Sequence, residues 1–232
     1  MTNEGNRTSF LSSLQLTDSL FPSGLYTLSH GLESYFQAEL LAADSLTALI
    51  ADLLRSSVGP TDATACALAM RAAKNGDLEG VGHIDERLHA VKLVREQRQA
   101  SLRLGRQLLA LSRDVFQDEA SATYLRRVRD AGMPGHHAVA SGLLKSALSI
   151  SPREGVVTEL YSYAASCAGA ALRMAAVDHR QVQRTLHHLQ PAIETVADEA
   201  LRREVGELGG SAPLAEIMAM RHEVAEMRLF VT

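Results

Sequence analysis

Apolar residues recur along most of this chain every three or four positions, the spacing that places them on one face of an α-helix. The alternating apolar and polar pattern of a half-buried strand is not found in any segment long enough to build a sheet. Fixed-period repeats, low-complexity tracts and long proline- or serine-rich linkers are also missing. The pattern therefore predicts an all-α protein: one helical bundle over residues 1–232, with a flexible N-terminus (1–8) and a C-terminal helix and tail.

The first strongly periodic helix is predicted to begin at Asp44, which has a side chain suited to an N-cap. It is predicted to stop at 59–60, where a glycine precedes a proline, because proline lacks the amide hydrogen that an α-helix requires. Thr61 or Asp62 would then cap an alanine-rich helix that ends at the asparagine and glycine of 75–76. The loops between helices are expected at 59–61, 75–77, 131–137 and 206–213.

A single apolar stripe from Leu88 to Leu111 predicts another helix. Ser101 and Gly105 lie on this stripe four positions apart. Because both side chains are small, we expect another backbone to approach this face closely.

The clearest helix start is at Ser151, which is followed by Pro152 and, three positions after the serine, by Glu154. This is a capping box with proline at the first helical position. The helix that follows carries mostly small residues, which indicates a packed central position. The next helix contains Pro191, predicted to kink or restart it, and the last helix is predicted over 214–229.

Composition favours one large domain with a substantial core, since 46% of 232 residues are hydrophobic. The formal charge of −4 arises from 23 basic and 27 acidic residues that are interspersed along the chain. No basic block marks a nucleic-acid surface, so nucleic acid is not an expected partner.

Three features predict a cytoplasmic protein that does not enter a membrane. Cys66 and Cys167 lie far apart in alanine-rich sequence, which is typical of buried free thiols in a reducing compartment. The first ten residues lack a secretory pattern, and no run approaches the roughly 20 apolar residues needed to span a bilayer.

The segment 14–33 combines apolar anchors with a dense set of polar side chains and a turn. Pro22 fixes φ and Gly24 tolerates positive φ, so together they form the bend. Tyr26, Ser29 and Glu33 follow it with donors, acceptors and charge. This combination indicates a shaped contact site.

The N-terminal motif and the end of the chain together resemble the urease accessory protein F family. The motif runs Phe21-Pro-Ser-Gly-x-Tyr-x-x-Ser-x-Gly-Leu-Glu33, and the C-terminal sequence 213–232 contains Arg-His-Glu and Arg-Leu-Phe elements. Segments around Glu96, 161–173 and 183–186 also resemble the middle of that family, in the expected order. The resemblance thus covers nearly the whole chain.

The resemblance implies an all-helical homodimer that catalyses no reaction. Such a protein binds a second accessory protein, D (or H), and then recruits the accessory GTPase G to deliver nickel to apo-urease. The resemblance also implies that certain residues of this chain bind these partners. They are Tyr26, Ser29, Gly31, Glu33, Arg221, His222, Glu223, Arg228 and Phe230, with Pro22 and Gly24 in the turn. The resemblance further implies that the tail, about 221–232, is ordered by the D partner.

This chain departs from the family pattern at Ser23, Val182, Met227 and Thr232. Ser23 replaces a branched apolar residue, Met227 a tyrosine, and Thr232 a terminal serine. Val182 lies in a stretch, 178–183, of which only the last glutamine matches. These differences bear on the details of partner contacts.

Each candidate residue also has a purely structural interpretation. Tyr26 and Glu33 could satisfy one another and a helix end, and the segment 221–223 could be a solvated face with a local ion pair of about half a kcal/mol. The histidine pairs at 136–137 and 187–188 could suggest metal ligation. Adjacent helical residues point about 100° apart, however, so His187 and His188 cannot readily chelate one ion. We therefore predict no metal site and no cofactor.

The sequence leaves three hypotheses for the function of this protein. The first is an adaptor that presents a composite surface to the GTPase. The second is a direct regulator of GTP hydrolysis, in which Arg228 acts on phosphate charge as an arginine finger does. The third is a helical metal-dependent enzyme using residues such as Asp178 and His179, which is disfavoured because the chain lacks the Glu-x-x-His and His-Glu-x-x-His patterns of such enzymes.

Overall fold

The computed structural model describes residues 4–18, 20–22 and 24–232, and this part of the chain is helical with no β-strand. The predicted all-α fold is therefore confirmed. The α-helices have these bounds: α1 Glu4–Thr17, α2 Leu32–Gln37, α3 Leu46–Leu53, α4 Thr64–Lys74, α5 Leu78–Val91, α6 Arg95–Leu111, α7 Glu119–Asp130, α8 His137–Ala147, α9 Pro152–Arg173, α10 His179–Arg202 and α11 Pro213–Glu223.

Helix α9 lies at the centre of the fold. It packs against α10, α4, α1 and α2, and its small residues Ala164, Ala168 and Ala171 are completely buried. One apolar cluster surrounds α9, α10 and α3, and a second lies among α4, α5, α7 and α8. The predicted central position of this helix is confirmed.

The predicted stop at 59–60 is wrong, because helical structure continues from α3 to α4 through a π-helix, Leu54–Ala63. Pro60 lies inside this π-helix, and its ring and missing N–H prevent regular α-helical bonding to the Ser56 carbonyl. The Ser56 carbonyl instead accepts from the amide of Ser211 (2.9 Å). The Gly59 carbonyl accepts from the hydroxyl of Thr64 (2.8 Å). A group distant in sequence, the Ser211 amide, thus satisfies the Ser56 carbonyl that the proline frees.

The predicted single helix from Leu88 to Leu111 belongs to two helices, because the helical structure is interrupted between Val91 and Arg95. The stripe gave no sign of this break, since apolar spacing continues across it. The expected close backbone approach is confirmed: a Cβ added at Gly105 would lie 2.0 Å from the Gly135 carbonyl oxygen.

The capping box at the start of α9 is confirmed, since Ser151 Oγ accepts from the Glu154 amide and the Glu154 carboxylate accepts from the Ser151 amide. Helix α10 continues through Pro191 without restarting, contrary to one of the two predicted outcomes. Helix α11 ends at Glu223, earlier than predicted, because the residues after it turn back towards α2. The first periodic helix, α3, begins after Ser45 instead of Asp44.

Three further sequence predictions concern the N-terminus, the cysteines and membrane insertion. The expected flexibility of residues 1–8 stays a prediction: α1 begins at Glu4, and residues 1–3 lie outside the described part. Cys66 and Cys167 are free and buried, as predicted, and burial raises the pKa of both thiols to about 12. Among the described residues, no helix combines the length and apolar character required to cross a bilayer.

Candidate partner-binding site

The end of the chain folds back onto the N-terminal motif. The terminal segment, residues 224–232, leaves α11 and runs beside the turn that precedes α2. The amide and hydroxyl of Ser29 both donate to the Thr232 carbonyl oxygen, at 2.6 and 2.7 Å. The Val231 amide donates to the Thr27 carbonyl at 2.9 Å. Two segments at opposite ends of the sequence therefore form one structure.

Glu33 is the buried anchor of this structure. It lies in the first turn of α2, where the helix dipole favours a negative charge. Its carboxylate accepts from the Leu229 amide (2.8 Å) and the Phe230 amide (3.2 Å), and it lies 2.9 Å from Nε2 of His222. Hydrogen bonds to an ionised group are stronger than those between neutral groups. This carboxylate therefore fixes both α11 and the terminal segment against α2.

His222 lies between two carboxylates. Its side chain is completely buried, and Nδ1 lies 2.8 Å from Glu96 Oε2 while Nε2 faces Glu33. The other oxygen of Glu96 accepts from Nη1 of Arg228 at 2.9 Å. Glu33, His222, Glu96 and Arg228 thus form a continuous chain of polar contacts, here called the His222 cluster.

Arg173, at the end of α9, connects the turn to the terminal segment. Its guanidinium carbon lies 4.0 Å from the centroid of the Tyr26 ring and 4.4 Å from that of Phe230. The guanidinium also donates to the Tyr26 carbonyl. An arginine over aromatic faces is attracted by the ring quadrupoles. Phe230 is buried by this arrangement, whereas Tyr26 is 68% exposed.

Both glycines of the N-terminal motif have a left-handed backbone conformation that residues with a Cβ rarely adopt. Gly24 has φ +80°, and a Cβ there would lie 2.5 Å from a methyl group of Leu104. Gly31 has φ +86° and packs against the backbone of Ala219 in α11. The carbonyl of Pro22 accepts from the Gln107 side chain at 2.7 Å. The turn is therefore held on α6, while the motif's other end receives α11.

The structure divides the sequence-predicted residues into two groups. Interior members hold the fold together: Ser29, Gly31, Glu33, His222 and Phe230. Members with exposed side chains lie at its edge: Tyr26, Arg221 and Arg228. Glu223 pairs with Arg95 of α6. The structural interpretation in which Tyr26 and Glu33 satisfy one another is wrong. The Glu33 carboxylate contacts His222 and the amides of the terminal segment, and Tyr26 contacts Arg173.

The positions that depart from the family pattern have different surroundings. Met227 is 82% exposed, and its carbonyl accepts from Gln37 (3.3 Å). Thr232 and Val182 are buried. Ser23 lies outside the described residues.

Sequence reasoning did not select Glu96 or Arg173 as site residues, although both lie in the segments that resemble the family. Each acts on positions far away in the sequence: Glu96 contacts His222 and Arg228, and Arg173 contacts Tyr26. Periodicity within α6 or α9 carries no signal of such contacts. The only local hint was a charged residue near each helix end.

A cavity of about 110 Å³ lies near the site, between α6, α9 and the π-helix. Thr232 and His30 are in its wall, together with the ion pair between Asp62 and Lys92 (2.8 Å). Burial lowers the pKa of His30 to about 4, so this imidazole is neutral at pH 7. Its Nε2 lies 3.1 Å from the Ser166 hydroxyl.

The side chains of the adjacent histidines 136 and 137 make separate contacts. His136 lies between His89 (3.1 Å) and Ser101 (3.0 Å), and burial lowers its pKa to about 3. His137 lies 3.3 Å from Glu159. Among the residues that the structure describes, no group of three or more His, Cys, Asp or Glu side chains is arranged to hold a metal ion.

Comparison with known proteins gives one consistent family. A sequence model of the UreF family matches residues 40–190. The urease accessory protein UreF of Trichodesmium erythraeum is 30% identical over 221 residues, covering 95% of each chain. That of Lachnoclostridium phytofermentans is 30% identical over 223 residues, covering 96% of this chain and 98% of its own. Urease accessory protein UreF 2 of Brucella canis is 30% identical over 222 residues, covering 94% and 90%.

Proposed function

Because this chain belongs to the UreF family of urease accessory proteins, we propose that it is a non-catalytic adaptor in urease maturation. In this proposal it dimerises, binds accessory protein D (or H), and recruits the accessory GTPase G for nickel delivery to apo-urease in the cytoplasm. The observation that carries the proposal is the joining of the two terminal motifs into one structure by Glu33, His222 and Arg173.

The edge of this structure has the composition of a contact surface. Tyr26 presents an exposed ring, and the side chain of Arg228, in the terminal segment, is 42% exposed. Tyrosine and arginine are enriched among residues that contribute most to protein–protein binding. Val224, Met227 and Leu229 follow one another closely in the sequence of the terminal segment and are at least 76% exposed. Large apolar side chains exposed in this way favour a partner surface.

The arginine-finger alternative requires Arg228 to reach phosphate charge on the GTPase. Its guanidinium donates to the Glu96 carboxylate, so this ion pair would have to break first. The contact favours a positioning role within the surface. The metal-enzyme alternative is weakened in a similar way, because the Asp178 side chain caps α10 by accepting from the Gln181 amide (2.7 Å).

Co-purification with the D protein and the GTPase tests the proposal. We expect a stable assembly containing two copies of each subunit, with its mass measured by light scattering. Tyr26→Ala and Arg228→Ala should remain folded, retain binding to the D protein at least in part, and lose GTPase recruitment and urease activation.

The matched control is Arg106→Ala, which removes an exposed arginine from α6 outside the proposed surface. This variant should assemble normally. Wild-type urease activation in cells carrying both Tyr26→Ala and Arg228→Ala would contradict the assigned surface. Failure of the unmodified chain to associate with either protein would contradict the adaptor role itself.

A further inference from the structure

The cavity between α6, α9 and the π-helix is lined by polar side chains that come from all three elements. Ser57 belongs to the π-helix, Gln97 to α6 and Ser162 to α9, and all three are half-buried. Within the part of the chain that the structure describes, none of these side chains forms a hydrogen bond with another protein group. Polar groups inside a protein normally have hydrogen-bond partners. These three side chains therefore converge on a space that a hydrogen-bonding molecule can fill.

The ion pair between Asp62 and Lys92 belongs to the wall of the same cavity. Lys92 Nζ donates to Asp62 Oδ2 at 2.8 Å, and this oxygen also accepts from the Thr61 hydroxyl at 3.0 Å. Among the described residues, no group donates to the other oxygen, Asp62 Oδ1. An ammonium group has three N–H donors, of which this contact uses one. An unused acceptor and unused donors therefore lie next to one another in the wall.

The charges around the cavity favour an uncharged occupant. Asp62 is paired with Lys92. Glu159, a second carboxylate of the wall, accepts from Lys145 at 2.6 Å. The third, Glu216, lies in the first turn of α11, where the helix dipole favours a negative charge. An ion entering this space would have to displace one of these pairs or remain unpaired, and an unpaired charge away from water costs more than an uncharged polar group.

We propose that this cavity binds a small uncharged amide. The N–H and C=O groups of an amide lie side by side, so the N–H can donate to Asp62 while the C=O accepts from Lys92. Ser57, Gln97 and Ser162 supply further donors and acceptors, and four leucines in the wall suit a short apolar substituent. One water molecule needs about 10–15 Å³ of such space. The cavity of about 110 Å³ therefore has room for one amide of a few non-hydrogen atoms.

Titration of the isolated full-length protein with acetamide, followed by nuclear magnetic resonance, tests this site. We expect saturable binding with a dissociation constant in about the millimolar range, as is usual for so small a molecule. Acetone has nearly the same shape but no N–H donor, and acetate has nearly the same shape but a negative charge. Each should bind at least about tenfold more weakly than acetamide, because it leaves a cavity acceptor unpaired or brings in an unpaired charge.

Variants of the cavity wall locate the binding. Gln97→Leu replaces the side-chain amide with an apolar group of similar size, and combined with Ser162→Ala it should weaken acetamide binding at least about tenfold. Ser162→Ala alone removes one oxygen atom, disturbs the fold least and should weaken binding by a smaller factor. The matched control is Gln190→Leu, which makes the same glutamine change at an exposed position of α10 and should bind as the wild type does.

Three results would overturn the amide site. The first is acetamide binding that is absent or no tighter than that of acetone. The second is an affinity that neither Ser162→Ala nor the double variant reduces. The third is a crystal soaked in acetamide in which only water occupies the cavity. Because no partner protein is present in these experiments, their outcome is independent of whether the adaptor proposal holds.

Discussion

At the scale of single residues, the buried carboxylate of Glu33 has the largest set of partners in the candidate site. We expect Glu33→Gln to lower the free energy of unfolding by about 1–3 kcal/mol, because a neutral amide accepts more weakly and presents a donor to groups that also donate. Urea denaturation at pH 7 measures this change. Glu226→Gln, an exposed position in the tail, is the control and should have little effect. Equal effects of the two substitutions would show that the buried contacts contribute nothing.

A glycine on α6 tests the close packing of two backbones. Gly105→Ala should destabilise the protein by about 1–3 kcal/mol, because the new methyl group would meet the Gly135 carbonyl, which cannot move as a flexible side chain does. Gly169→Ala in α9 is the matched control, since a Cβ there meets nothing within 4 Å. It should be neutral or stabilising by up to about 1 kcal/mol. Thermal unfolding of both variants gives the comparison, and a stable Gly105→Ala protein would contradict the observed approach.

At the scale of whole elements, the central position of α9 depends on alanines that leave no space beside them. Ala168→Leu adds three carbon atoms at a completely buried position and should cost about 1–3 kcal/mol. Ala42→Leu makes the same change at an exposed loop position and should alter stability little. The melting temperatures of the two variants, each compared with that of the wild type, measure this difference. An unchanged melting temperature in Ala168→Leu would mean that α9 is not packed as described.

Element boundaries also show where sequence reasoning succeeded. The start of α9 was predictable because its capping box is formed by residues three positions apart. The path through Pro60 was not, since the freed Ser56 carbonyl is satisfied by Ser211, which is remote in sequence. The early end of α11 has the same origin: residues that continue its apolar pattern leave the helix to contact Glu33. A local pattern predicts a helix boundary when residues close in sequence make its hydrogen bonds. A boundary whose hydrogen bonds come from residues remote in sequence cannot be predicted in this way.

At the scale of the molecule, the fold class and the two terminal motifs were accessible from sequence, whereas their mutual contacts were not. A contact between His222 and Glu33 spans 189 positions, and no period or short motif encodes it. The resemblance to a family supplied the relevant residues as partner-binding positions, and that role stays a prediction. Within the chain, Glu33 contacts both His222 and the Phe230 amide, while Tyr26, Arg221 and Arg228 are exposed.

Acid should destabilise the whole molecule well before its exposed carboxylates are protonated. The folded protein keeps His30 and His136 neutral, with pKa values lowered by burial to about 4 and about 3. In the unfolded chain both would be protonated near pH 6.5. The unfolded state therefore binds more protons, and stability that is fully present above about pH 6.5 is lost as the pH falls towards 4. The lowered pKa of Glu159, beside Lys145, adds a loss of the same sign at lower pH, whereas burial raises the pKa of Asp85 and acts in the opposite direction.

We therefore expect the urea midpoint to fall steadily between pH 6.5 and pH 4.5, with each buried histidine contributing on the order of 1–2 kcal/mol over that range. His30→Asn should reduce the slope by about half of the histidine contribution. Asparagine suits this position because the backbone of His30 has φ 55°, a conformation that asparagine tolerates. His187→Gln, at an exposed site on α10, should leave the slope unchanged. A midpoint independent of pH in this interval, or a slope that His30→Asn does not alter, would show that His30 is not held neutral by the fold.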